Sequence, residues 1–271
     1  MSDGWGGDVV RGSIYDFPKY YDVLFGSDWR AEFHFLRACF ERFAALPRGR
    51  AVRSVFEPAC GTGRLLIRFA KAGYSVGGID LNEAAVAYCN ARLQRHGFPA
   101  SVRVGDMTRF RSPRQWDAAF NPINSFRHLL GEEAAAGHLR CMADCVRPGG
   151  LYVIGLHLIP TQGERIQDEA WSARRGQLVV NSYMWSKGID PHRRIERLGM
   201  TVDVYRPTGR MRIEDEMEYF TYTAEQFRTL LARVPQWEPV ATYDFAYDID
   251  TPVRVDERTE DVVFVLRRRG E

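Results

Sequence analysis

A chain of 271 residues with 45% hydrophobic content can carry one large domain or a domain with an insert, which excludes a disordered protein. Its 37 basic and 35 acidic side chains leave a net charge of +2, so no global field draws nucleic acid or a membrane surface, and Arg267-Arg268-Arg269 reads as a solvated end. Its 5 cysteines are scattered with no Cys-x-x-Cys, which suits a reducing cytoplasm and gives no metal site, and no apolar run approaches the ~20 residues of a membrane span.

Residues 1–12 are glycine-rich and polar, hence expected to be mobile unless the fold ties them down, and they show no charged region followed by an apolar core that would direct export. Residues 14–25 are dense in aromatics, with Tyr15, Phe17, Tyr20, Tyr21 and Phe25 around Pro18, and need something to pack on, either the core or a ligand. Phe33, Leu36, Phe40 and Phe43 recur at three- and four-residue spacing, which predicts an amphipathic helix over 28–46 that Pro47-Arg48-Gly49 ends. The next stretch, 52–80, organises the rest. Its first five residues read as a buried strand, its glycines as a tight turn, 65–71 as a helix, and 74–79 as a second strand ending at Asp80. In this βαβ unit Gly61 and Gly63 let the backbone turn sharply and approach a ligand, and Asp80 lies where its two oxygens can accept ribose hydroxyls. A dinucleotide site would carry a third glycine three residues after Gly63, where Leu66 stands.

Asn82 can cap a scaffold helix over 83–96, stopped by Gly97. A third strand over 101–107 ends in Gly105-Asp106, and a fourth over 116–120 breaks at Asn121-Pro122. A helix over 132–146 is closed by Arg147-Pro148-Gly149-Gly150 and followed by an apolar strand over 151–156.

These features, in this order, resemble the class I S-adenosylmethionine-dependent methyltransferases, in their small-molecule branch, over roughly residues 52–158. The resemblance implies an α/β fold with a Rossmann-like seven-stranded sheet, helices on both faces, an antiparallel β insert after the fifth strand and an N-terminal helical and aromatic cap. On that pattern 1–50 is the cap segment and helix, 51–160 the cofactor-binding core, 161–222 the substrate-binding insert, and 223–271 a last helix and two strands. The family's first motif, an acidic residue followed by alternating glycines, is matched at Glu57, Gly61 and Gly63, with Ala59 where glycine is commoner. By resemblance the cofactor is S-adenosylmethionine. Its methionine part would lie on Glu57, Ala59, Cys60, Gly61, Gly63 and Arg64, and its ribose on Asp80 and Leu81. Its adenine would lie on Gly105, Asp106 and Met107, where the Asp106 carboxylate and the apolar Met107 supply an acceptor and a flank. Asn121, Ile123 and Ser125 would complete the cofactor set, with Tyr15, Tyr20 and Tyr21 closing over it. Tyr21-Asp22 matches a Tyr-Asp pair that covers the methionine end in this branch.

Residues 121–128 follow the fourth strand directly, at the carboxyl edge where open α/β sheets bind ligands. His128 is the first candidate there for a base or an acceptor-orienting group, because imidazole titrates near neutrality; the bland alternative is a helix-start histidine on backbone. His157 and Tyr21 follow it as catalytic candidates. Residues 160–173 read as a polar loop with one short helix, and 178–185, 194–202 and 212–220 as three strands of an antiparallel insert. The acceptor would touch Asn124, Phe126, His128 and His157 from the core and Tyr183, Trp185 and Met217 from the insert. Thr223-Ala224-Glu225-Gln226 has capping-box spacing, and 240–245 and 261–267 supply two last strands. The expected activity is methyl transfer to a nitrogen or oxygen of a small molecule. A nicotinamide-dependent oxidoreductase is disfavoured by Leu66 and Gly105-Asp106, and a non-catalytic module that binds the same cofactor is the third option. No nucleic acid or membrane partner is expected, and a homodimer stays open.

Overall fold

The computed structural model describes residues 6–27 and 29–270, so the expectations that fall on 1–5, Asp28 and Glu271 lie outside the described residues. From Asp8 onward the chain start is tied down: β1 (Asp8–Arg11) adds in parallel to a strand of the insert, pairing Asp8 with Met211 and Arg11 with Glu214. After a 3-10 turn over Ile14–Asp16, Pro18 opens α1 (Pro18–Phe25), where its missing N–H and fixed φ are at no disadvantage. Then come α2 (Trp29–Phe43), β2 (Ser54–Pro58), α3 (Leu66–Lys71), β3 (Ser75–Asp80), α4 (Glu83–Arg95) and β4 (Val102–Val104). β5 (Trp116–Asn121), α5 (Glu132–Cys145) and β6 (Val146–His157) complete the first half of the core. The insert is β7 (Asp168–Arg175), β8 (Leu178–Asp190), β9 (Ile195–Arg206) and β10 (Gly209–Phe220). The chain closes with α6 (Ala224–Ala232), β11 (Trp237–Tyr243) and β12 (Asp261–Arg268).

The seven-stranded sheet runs β11-β12-β6-β5-β2-β3-β4, parallel throughout except for β12, which is antiparallel to both β6 and β11. Strand side chains alternate between two apolar layers, as a pleated sheet covered on both faces requires. Phe56, Ala119, Tyr152 and Ile154 pack under α5 and α6, while Val55, Ala118, Phe120 and Val153 pack under α2, α3 and α4. From β2 the chain steps outward to β3 and β4, then returns to β5 on the other side of β2. The loops leaving β2 and β5 therefore diverge, and the crevice between them is the topological switch point where such sheets bind ligands.

The second sheet runs β1-β10-β9-β8-β7, with four antiparallel strands and β1 added in parallel. The loop expected over 160–173 is corrected from Asp168 onward, where Glu169, Trp171 and Ala173 turn inward and Asp168, Ala170, Ser172 and Arg174 are exposed. This period of two makes it a strand. One face of this sheet, built of Val180, Met200, Val202, Val204, Met211 and Ile213, packs on Ile14, Val23 and Leu24, so the cap and the insert share one core. Asp22 of α1 is buried at the junction, where it accepts from Thr62 at 3.1 Å and Tyr88 at 3.3 Å and pairs with Arg92 and Arg175. Both reciprocal bonds of the Thr223–Gln226 capping box are present, at 2.9 and 3.2 Å. Among the described residues no helix is long and apolar enough to cross a membrane.

Candidate active site

Two adjoining cavities occupy the crevice between the loops after β2 and β5. The first, of about 1290 Å³, is lined by Ser13, Asp16, Gly61, Asp80, Leu81, Gly105 and Met107. The second, of about 930 Å³, is lined from the core by Glu57, Cys60, Arg64, Asn121, Ile123, Asn124 and His157, and from the insert by Glu169, Trp171, Met184, Met200, Met217 and Tyr219. Tyr15, Tyr21, Ala59, Ser125 and His128 line both and form the seam between them.

The turn after β2 builds the first cavity through its backbone. Ala59, Gly61 and Gly63 all have positive φ, at 53°, 52° and 67°, so alanine at position 59 occupies a left-handed conformation that glycine would adopt without steric cost. A Cβ on Gly61 would meet only the Tyr21 ring, at 3.6 Å, so that glycine keeps the cavity floor open. Gly63 does something else. A Cβ there would fall inside the Cys89 sulfur of α4, so this glycine serves helix packing, and it lines neither cavity. Asp80 accepts from the Gly61 N–H at 2.7 Å and the Asn82 N–H at 2.9 Å, one bond to each oxygen, which fixes the carboxylate and leaves lone pairs toward the cavity. Burial raises its pKa, against those two bonds. Leu81 is 70% exposed at the rim, a surface a flat ring can lie on. Asp106 does not line the cavity: its Oδ1 accepts from the Thr108 N–H and hydroxyl at 2.8 and 2.7 Å and its Oδ2 pairs with the exposed Arg109, a local turn that holds the carboxylate beside the cavity. Gly105 and Met107 line the cavity in its place.

At the other end, Glu57 is buried and its Oε2 has no hydrogen-bond partner. Burial pushes its carboxyl well above the usual range, and the nearby Arg64 pulls it back. Arg64 itself is held by both oxygens of Glu32 on α2, so it is not free to neutralise Glu57 fully. Asn121 donates to the Pro58 carbonyl at 3.1 Å and leaves its own Oδ1 buried without a partner. An orphaned carboxylate oxygen and an orphaned amide oxygen facing one cavity ask for a donor-rich, cationic group. The α-ammonium of a methionine moiety is such a group, and Asp80 and Leu81 suit a ribose and a base; this donor set fits S-adenosylmethionine.

At the seam the Tyr15 hydroxyl lies 3.0 Å from His128 Nε2, with the Tyr219 ring edge-on to the imidazole at 4.8 Å. Burial, then Arg127, lowers the His128 pKa to about 4, so the imidazole is neutral across the neutral range. Burial likewise holds the Tyr15 and Tyr21 phenols above their ordinary value. His157 stands at the back of the second cavity, with its ring Nδ1 on Asp261 at 2.6 Å and its backbone N–H donating to Asn124 Oδ1 at 2.8 Å. Asn124 has φ 46°, a conformation asparagine tolerates, and this turns the loop after β5 back onto β6.

Four expected site residues lie elsewhere. Phe126 is fully buried against His138, Tyr222 and Phe227. Tyr20 points away from the cavity, stacked on Phe17 and hydrogen-bonded by Arg206 at 3.3 Å. Tyr183 and Trp185 stack on each other at 5.4 Å on the opposite face of β8, because the strand's alternation turns Met184 inward. Trp185 reaches only a small charged recess behind the second cavity. Missed from the sequence were Phe25, Glu169, Trp171, Met184, Met200 and Tyr219. The inward alternation of Glu169-Ala170-Trp171-Ser172-Ala173 was the available signal for two of them.

Residues 55–150 match the family model described as a methyltransferase domain. A curated relative, the dTDP-3-amino-3,4,6-trideoxy-alpha-D-glucopyranose N,N-dimethyltransferase of Streptomyces venezuelae, is 28% identical over 144 residues, 51% of this chain and 56% of the relative. Two solved structures share the fold. An S-adenosylmethionine-dependent methyltransferase from Clostridium acetobutylicum superposes with TM-score 0.74 at 16% identity over 95% of this chain and 100% of the other. The sugar N-methyltransferase KedS8 from Streptoalloteichus sp. superposes with TM-score 0.70 at 23% identity over 100% and 98%.

Proposed function

Residues 55–150 form a methyltransferase domain, and from that premise we propose that this chain methylates a nitrogen of a small-molecule acceptor, with S-adenosylmethionine as donor. The observation that carries the acceptor reading is the neutral Tyr15–His128 pair at the seam of the two cavities. Bound in the crevice, the cofactor supplies an activated methyl group. Glu57 would hold its ammonium and Asp80 its ribose hydroxyls, while Leu81 and Met107 flank its base.

Methyl transfer from a sulfonium is an in-line displacement, so the chain's contribution is to align the acceptor and keep water away. Tyr15, Tyr21, Phe25, Trp171 and Tyr219 enclose the seam in aromatic surface that excludes water. An imidazole with a pKa of about 4 is a weak base for an alcohol proton, whereas it can accept a hydrogen bond from an amine and orient its lone pair. A nitrogen acceptor is thus favoured over oxygen, and the amino-sugar activities named for two relatives support the same choice. Leu66, where a dinucleotide site would carry its third glycine, is fully buried in the core, which disfavours hydride transfer. A cytoplasmic setting belongs to the proposal, supported by cysteines that all stay free. So does a homodimer, to be checked by light scattering.

The test is incubation with S-adenosylmethionine and a panel of small amines and alcohols, with mass detection of a methyl increment. Methylated amines are the expected result. Cofactor binding with no methylated product from either class would point to a non-catalytic module instead.

A further inference from the structure

Resting on the methyl-transfer reading above, we propose that Glu169 selects the acceptor by charge, its carboxylate binding a protonated nitrogen that gives its proton to that carboxylate before the freed lone pair attacks the methyl group, so that the protein takes amines that arrive as cations in preference to neutral molecules of the same shape. Glu169 is an inward position of β7, on a sheet face that carries Trp171, Val180, Met184, Met200 and Val202 together with Ser182 and Asp215, the latter already bonded to Ser13 and the Ile14 N–H. A carboxylate on such a face is costly without a partner. Glu169 pairs with Met184 through the backbone ladder, and among the described residues no side chain hydrogen-bonds to its carboxylate or forms an ion pair with it.

The cations nearby are already engaged, since Arg127 and Arg165 both pair with Glu196, and the neighbouring His157 has its Nδ1 on Asp261 at 2.6 Å. Burial raises the Glu169 carboxyl; His157 and Arg127 lower it, while Asp261 and Glu260 add to the rise. The balance leaves a pocket short of positive charge. Glu169 lies on the wall shared by the acceptor cavity and the charged recess behind it, and Trp171, two residues along the same face, presents an aromatic surface to the same space.

A carboxylate beside aromatic faces is a cation site, since both attract positive charge and the ring does so without a hydration shell to remove. A neutral alcohol would leave the half-buried Glu169 carboxylate without a counter-charge. Met184, Met200 and Met217 line the rest of that wall, and unbranched thioethers adapt to irregular outlines. Shape is therefore loosely specified there and charge tightly.

The test uses the full chain saturated with S-adenosylhomocysteine and titrated near neutral pH with cyclohexylamine and with cyclohexanol, matched rings that differ in charge. Wild type should bind the amine about tenfold more tightly than the alcohol, the order of effect of one hydrogen bond to a charged group. Glu169→Gln, which keeps shape and hydrogen bonding, should erase the preference while S-adenosylhomocysteine affinity stays, and Glu169→Asp should keep most of it. Equal affinities in wild type, binding of neither probe, or a preference that survives Glu169→Gln overturns the assignment of Glu169 alone. Failure of S-adenosylhomocysteine to bind overturns the methyl-transfer reading and this one with it.

Discussion

On the core side of the crevice, the polar parts are fixed by hydrogen bonds: Asp80 is held by the Gly61 and Asn82 N–H groups and Asn121 by the Pro58 carbonyl, all backbone, and Arg64 by the Glu32 carboxylate. On the insert side, Met184, Met200, Met217 and Trp171 are held by packing and stand beside Glu169 and Tyr219. A polar wall preset by backbone bonds suits one ligand of fixed outline, because the cost of ordering it is met on folding. A methionine wall tolerates several outlines. The difference teaches that cofactor and acceptor recognition are separable, and substitutions on the two sides should separate them.

The largest effect is expected at Gly63. Valine there combines a positive φ with a clash on Cys89, for a combined cost of about 3 kcal/mol or more, and thermal unfolding should show a large drop or no folded protein. Gly61→Ala makes only an ordinary contact with the Tyr21 ring, should fold with a smaller loss of ~1–2 kcal/mol, and should weaken cofactor binding instead. Equal melting of the two variants would remove the distinction between packing glycine and ligand glycine.

On the insert side, Met200→Ala and Met217→Ala should each raise the acceptor KM by an amount worth about 1 kcal/mol, with the cofactor Kd unchanged. Equal losses in both constants would mean the two walls are one structural unit.

At the seam, His128→Asn should keep most activity because it can still hydrogen-bond, while His128→Ala should lose about 1 kcal/mol of transition-state stabilisation. Since burial depresses the imidazole pKa, the folded protein holds His128 neutral above about 4, and kcat/KM should show no His128 inflection in the neutral range. A rate that rises through the ordinary imidazole range in wild type, and loses that rise in His128→Asn, would restore the general base. The smallest effect is expected at Trp185. Its ring stacks on Tyr183 away from the acceptor cavity, so Trp185→Ala should leave both the cofactor Kd and the acceptor KM in place.

Legibility in the sequence followed the same division. Backbone-dictated parts could be read, because glycine at 61 and 63, Asp80 at a strand end and the Asn121-Pro122 break each report a conformation only some residues adopt. What Gly63 and Asp106 face could not, since packing against Cys89 and capping by Thr108 depend on parts distant in sequence or on a choice among local bonds. On the insert side, alternation was visible but its phase was not: Tyr183 and Met184 are equally plausible inward residues until α1 is known to cover one face. The polar composition of 160–173 reads as a loop with one short helix, and in the structure Glu169 is a charge on an inward face of β7. A local rule broken in this way is what a ligand-binding position looks like.

The division of the crevice is tested most directly by calorimetric titration of S-adenosylmethionine into wild type, Glu57→Gln and Met200→Ala. Wild type should bind one equivalent, Glu57→Gln should lose ~1.5–3 kcal/mol because the buried oxygens no longer carry the charge that meets the ammonium, and Met200→Ala should match wild type. Unchanged affinity in Glu57→Gln, or an equal loss in Met200→Ala, would contradict it.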